Sequence, residues 1–86
     1  MTINKPAKCG TLESNDIFIM LTPSEDGVVI ELESVVEKQF GNHIRKVIED
    51  KIKEMGITSI LIKAQDKGAL DYTIRARVEG AIKRGY

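Results

Sequence analysis

Asp16-Ile17-Phe18-Ile19-Met20-Leu21-Thr22 is the stretch that decides the architecture. Successive side chains of an extended chain alternate, so Ile17, Ile19 and Leu21 share one face while Phe18 and Met20 share the other. Apolar residues on both faces imply an interior strand, covered on both sides or resting one side on a partner. After it, Pro23-Ser24-Glu25-Asp26-Gly27 is a five-residue turn with proline early and glycine last. Val28 to Glu33 then alternates clearly, with Val28, Ile30 and Leu32 inward and Glu31 and Glu33 outward. That is the pattern of a half-buried edge strand whose carboxylates discourage edge-to-edge association.

Ser34-Val35-Val36-Glu37 has the spacing of a capping box and opens a helix. Val36, Phe40, Ile44, Val47, Ile48, Ile52 and Met55 follow at helical spacing, with Phe40 expected in the core. Lys46–Asp50 and Glu49–Lys53 are opposite-charge pairs on the wet face, and Gly56 is the left-handed stop. Ile57 to Gln65 reads as a third strand with Ile60, Ile62 and Ala64 on one face, and Asp66-Lys67-Gly68 turns the chain. Leu70 to Val78 alternates like a strand, yet Ile74, Val78, Ala81 and Ile82 also fit a helix. Asp71 as N-cap and the late Lys83, Arg84 and Gly85 favour the helix. Residues 1–15, with Pro6, Gly10 and no periodicity, read as an extended N-terminal arm. The expected fold is a small α+β domain, β-β-α-β-α over residues 1–86. Its three-stranded antiparallel sheet, in the order 2-1-3, is packed by the long helix and the C-terminal one.

Size and composition narrow the function. A chain of 86 residues holds one domain, and such a domain buries only about 60–65% of its unfolded surface. That favours a carrier, binding or subunit role over an enzyme with its own deep pocket. Thirteen basic and thirteen acidic side chains cancel, and there is no tryptophan, so neither nucleic acid nor an anionic membrane is an expected partner. Charge is nonetheless segregated: Glu25 to Glu37 holds five acidic groups and no basic one, whereas Asp71 onward is net basic. Oriented docking and ordinary solvated faces both account for that. One cysteine, Cys9, supports neither an internal disulfide nor a metal cluster; it reads as a small residue in the arm rather than a reactive thiol. With no signal-peptide pattern and no long apolar run, a cytoplasmic location is expected.

No set of residues supplies nucleophile, base and oxyanion hole. His43 has no partner nearby in sequence and reads as a half-exposed helix residue. Arg75 and Arg77 suit a phosphate, or else are ordinary surface arginines. Ser14, between Glu13 and Asp16, is exposed enough on the arm to accept a bulky group, with the two carboxylates as handles for a transferase or a divalent ion. On spacing alone it is equally an ordinary polar serine before a strand.

Gly10-Thr11-Leu12-Glu13-Ser14 within Ala7 to Asp16, Ser34 to Gly41, Asp66 to Asp71 and Ile74 to Val78 together resemble the citrate lyase acyl carrier proteins nearly end to end. The resemblance implies a non-catalytic carrier subunit. Ser14 would be linked through a phosphodiester to 2'-(5''-phosphoribosyl)-3'-dephospho-coenzyme A, whose terminal thiol is acetylated by a ligase. A dedicated prosthetic-group transferase would place the arm. The partners it implies are the citrate lyase alpha and beta subunits, which exchange acetyl for citryl on the arm and cleave citrate to acetate and oxaloacetate. Carriers of malonate decarboxylase or citramalate lyase are alternatives. From another class, so is a non-catalytic α+β binding module using Arg75, Arg77, Lys83 and Arg84.

Overall fold

The computed structural model describes residues 2–86. Its elements are β1 (Ala7–Cys9), β2 (Ile17–Thr22), β3 (Val28–Ser34), α1 (Glu37–Glu54), β4 (Ile60–Asp66) and α2 (Asp71–Gly85). The two-faced segment is β2, and it is interior as its pattern requires. Its neighbours, however, are not the expected ones. The sheet has four strands in the order β1-β2-β4-β3, and β3 runs parallel to β4 while the other pairs are antiparallel. This corrects the three-stranded antiparallel sheet with the first long strand between the other two.

The reason is topological. The β3-α1-β4 unit is a crossover, and it sets β4 beside β3 in parallel, in the slot between β3 and β2. The connection from Thr22 to Val28 must therefore step over β4, a distance of about two strand spacings, or 10 Å. Five residues reach that easily, at about 3.3 Å each. The far edge of β2 is filled by β1, three residues from within the arm, in the register Lys8↔Met20. Ile3 and Cys9 of the arm are buried, and the Asn4 amide donates to the Gly85 carbonyl, so the arm closes over the end of α2.

One face of the sheet carries the core. Ile17, Ile19 and Leu21 from β2 and Ile60, Ile62 and Ala64 from β4 point toward the helices and are all buried. Ile44, Val47, Ile48 and Ile52 of α1 and Ile74, Val78, Ala81 and Ile82 of α2 meet them. The second apolar face of β2 lies on the uncovered side, where Phe18 is half-buried and Met20 is 39% exposed. Between the helices, the buried Lys51 ammonium donates to Glu54 at 2.6 Å and contacts Glu79 at 2.8 Å. Lys51 first and Lys83 second hold the Glu79 carboxyl down at about 2.

The helix boundaries are set by packing and backbone chemistry. At the end of α1, Gly56 takes φ +72°, its amide donates to Lys53 and the Ile57 amide donates to Ile52. That is a Schellman closure, with buried Ile57 as its apolar partner. The capping box does not form: α1 begins at Glu37 with no side-chain cap, and Ser34 is the last residue of β3. Asp71 is likewise the first residue of α2 rather than its cap. Phe40 is 52% exposed, so the buried stripe of α1 starts at Gly41 and Ile44.

Ile48→Ala, which empties a fully buried position, is expected to cost about 2–5 kcal/mol in denaturant unfolding. Phe40→Ala should cost under about 1 kcal/mol, because its ring leaves little apolar area when removed from an exposed site. Equal losses for the two variants would contradict this packing.

Candidate functional site: the Ser14 turn

Ser14 is exposed in a tight turn at the end of the sheet. The Asp16 amide donates to the Glu13 carbonyl at 3.2 Å, which closes a four-residue turn with Ser14 second and Asn15 third. Asn15 has φ +67°. A type II turn demands a positive φ at that position, and asparagine is among the few residues that tolerate it. Ser14 thus sits at the apex, and its hydroxyl makes no hydrogen bond among the described residues.

The turn is exposed but firmly held. The Asn15 amide donates to the Lys67 carbonyl at 2.8 Å, and the Lys67 amide donates to the Asp16 carbonyl at 2.9 Å. On the other side, Gly10 has φ +100°, and a Cβ there would lie 1.9 Å from the Ile17 carbonyl oxygen. Only glycine lets the arm pass so close to the start of β2.

Asp16 is the anchor. The sequence offers it as a second handle beside Glu13, for a transferase or a cation. Instead it is 9% exposed, with both carboxylate oxygens engaged. Arg77 donates from Nε to Oδ1 at 3.0 Å and from Nη2 to Oδ2 at 2.9 Å. Thr11 Oγ1 donates to Oδ2 at 2.7 Å, and the Ile17 amide donates to Oδ1 at 2.7 Å. A forked guanidinium on a carboxylate is a strong, directional pair. The Arg77 bond, helped by Thr11 and Ile17 and opposed by burial, lowers the Asp16 carboxyl from 3.8 to about 2. Arg77 is therefore neither a free surface arginine nor an open phosphate site, whereas Arg75 is exposed. Sixty-one residues separate Asp16 from Arg77, which leaves no local signal that they meet.

A second buried carboxylate supports the facing loop. Asp66, 1% exposed, accepts from Ser34 Oγ at 2.7 Å and from the Gly68 and Ala69 amides at 3.1 and 3.0 Å. Ser34 Oγ in turn accepts from the Val36 amide, which replaces the capping box. Asp66 so shapes residues 66–69, and Lys67 of that loop holds the Ser14 turn. His43, unpaired in the local sequence, has its Nε2 2.9 Å from an Asp71 carboxylate oxygen. Cys9 is buried in β1 against α2, where a Cβ on Gly80 would lie 2.8 Å from Sγ. Among the described residues no group of three or more His, Cys, Asp or Glu could hold a metal ion, and no helix is long and apolar enough to cross a membrane.

The Asp16–Arg77 pair has a pH signature. A carboxyl with a folded pKa near 2 and an ordinary value of 3.8 contributes stability that is full above pH 3.8 and lost as the pH falls through 2. The contribution is about 2 kcal/mol, shared by Arg77, Thr11 and the Ile17 amide. Arg77→Met is expected to be less stable than the parent at pH 6, with the gap narrowing between pH 4 and pH 2. A gap independent of pH in urea unfolding would show that the pair is not the anchor.

The comparisons with known proteins agree with this architecture. Residues 4–85 match the acyl carrier family model described as "Malonate decarboxylase delta subunit (MdcD)". The chain is 51% identical over 84 residues to the citrate lyase acyl carrier protein of Halothermothrix orenii, covering 98% of this chain and 89% of that one. It is 54% identical over 84 residues to that of Lacticaseibacillus casei, covering 98% and 83%. Among solved structures, a chain of the Pseudomonas malonate decarboxylase hetero-tetramer in complex with malonate superimposes with a TM-score of 0.80 at 21% identity, covering 100% of this chain and 93% of that one. At that identity it shows the fold alone. The full-length identities show more: the chain belongs to the citrate lyase acyl carrier protein family.

Proposed function

We propose that this chain is the acyl carrier subunit of citrate lyase and that Ser14 is the residue to which its prosthetic group is attached. The observation that carries the reading is the Ser14 turn itself: an exposed, unbonded hydroxyl at the apex of a turn whose neighbours on both sides are pinned. A transferase must reach the hydroxyl from outside, so it has to stand clear of the surface. The thiol end of the arm must also be delivered from a defined point, so the backbone beneath must not drift.

The residues present fit 2'-(5''-phosphoribosyl)-3'-dephospho-coenzyme A joined by a phosphodiester. Lys67, bonded through its backbone to Asn15 and Asp16, is exposed and available to a phosphate near the turn. Asp16, the carboxylate nearest in sequence on the strand side, is neutralised by Arg77 and so does not repel a phosphate. Glu13 remains exposed, available to a basic transferase. When bound, such a group supplies a terminal thiol that holds an acyl group as a thioester.

The chain itself contributes no acid or base. It tethers, raising an encounter between separate active sites to an effective concentration on the order of millimolar. The small size accords with that task. The partners are the alpha and beta subunits of the lyase, with a prosthetic-group transferase and an acetylating ligase acting on the carrier in the cytoplasm. Malonate decarboxylase is the second reading, favoured by the description of the matching family model. Curated relatives at 49–54% identity over nearly the whole chain favour citrate lyase over it.

Ser14→Ala removes only an exposed hydroxyl and should leave thermal unfolding unchanged within about 0.5 kcal/mol. Reconstituted with the alpha and beta subunits, the variant is expected to show no cleavage of citrate, while the parent bearing the arm restores it. Full citrate cleavage by the Ser14→Ala complex would contradict the attachment site. Restoration of malonate decarboxylation but not of citrate cleavage by the parent would favour the second reading.

A further inference from the structure

Beside the Ser14 turn lies an open groove of about 580 Å³, enclosed by the first turns of α1 and α2 and the segment joining β4 to α2. Its walls are apolar: Phe40 and Ile44 on one side, Ala69, Leu70 and Tyr72 on the other. Leu70 is 59% exposed and Tyr72 66% exposed, so the walls stand open to water. The His43–Asp71 pair supplies a polar contact in the lining. Gly68 belongs to the lining, and a Cβ on Gly68 would lie only 3.7 Å from Asn15 Oδ1. The groove therefore begins one residue away from Ser14.

We infer that this groove is the resting cradle of the prosthetic arm, taking the methylene and amide chain that leads to its thiol. The inference rests on the arm being carried by Ser14. Three observations select the arm over other occupants. The Gly68 wall of the groove lies against the side chain of Asn15, the residue after Ser14, so the arm has a short path into it. Its apolar walls and the single His43–Asp71 polar pair match a chain of methylenes interrupted by amide groups, whereas the phosphate end of the arm stays at Ser14, which does not line the groove. Tethering also removes most of the association cost: at an effective concentration on the order of millimolar, even a millimolar affinity keeps the groove half filled. An arm held so loosely is released whenever a partner's active site binds its end more tightly.

The test uses the carrier with its arm, confirmed on Ser14 by mass. The arm's thiol is tagged with a maleimide nitroxide, which the buried Cys9 does not compete for. Amide resonances are compared with the nitroxide oxidised and reduced. Phe40, Ala69, Leu70 and Tyr72 are expected to lose at least half their intensity, while Gly27, at the opposite end of the sheet, keeps its signal. In the Phe40→Ser/Leu70→Ser variant, which alters exposed residues only, the loss at Ala69 and Tyr72 should fall at least twofold while that at Glu13 and Asn15 persists. Losses unchanged by the double substitution, or spread evenly over the surface, would overturn the cradle. So would groove resonances that respond only when the alpha or beta subunit is added, since the groove would then be a docking surface. A chain lacking the arm on Ser14 is recognised in the mass before labelling, and overturns the attachment reading instead.

Discussion

The forked pair between Arg77 and Asp16 is the constraint on which the end of the fold that carries Ser14 depends. It joins α2 to the residue at which the arm becomes β2, and it does so under a turn that leaves Ser14 in solvent. Without it a buried carboxylate would lose its charged partner, which is among the costlier defects in a domain this small. Thr11 and the Ile17 amide use the remaining lone pairs of Asp16, so the arm, the strand and the helix meet at one side chain. Asp66 repeats the device across the turn. It is satisfied by Ser34 and two amides, and it sets the loop whose Lys67 backbone grips Asn15 and Asp16. Two buried aspartates thus hold rigid what looks from outside like a mobile loop.

This division of labour suits a carrier. The core is built from isoleucine, valine, leucine and alanine in two layers, and it does nothing chemical. Its task is to fix the two ends of the Ser14 turn. In the proposed function the chemistry is delegated to a group attached at one hydroxyl, and the gain comes from tethering. Around that hydroxyl the surface departs from the polar average: Leu12, Val35, Phe40, Leu70 and Tyr72 are all exposed.

Much of the fold is legible in the residues, and the exceptions have physical causes. β2, β3, β4 and both helices follow from alternation, helical spacing and the Gly56 stop, all of which are local. Strand order is not local. β2 is interior as its two apolar faces require, but its neighbours are β4 and β1, the latter only three residues long with Ala7 and Cys9 facing inward. β4, whose alternation looks like that of an edge strand, is the second interior strand. The five residues from Pro23 to Gly27 already carried a hint, being more than a tight hairpin between neighbours needs. Ser34 and Asp71 have good capping chemistry, but each found a longer-range partner, Asp66 and His43 respectively, that competes for the same oxygens. Phe40 fits the apolar stripe of α1 yet lies beyond the reach of the sheet. For the site, Ser14 was visible as a sequence pattern; its anchor Arg77 was not, because 61 residues separate it from Asp16.

The measurement that bears most directly on the account is the intact mass of the chain purified from cells fermenting citrate, followed by peptide mapping of the segment from Gly10 to Lys38. The account predicts one phosphodiester-linked, coenzyme-A-derived increment, located on Ser14. An unmodified chain, or the same increment on Ser24, Ser34 or another hydroxyl, would contradict it.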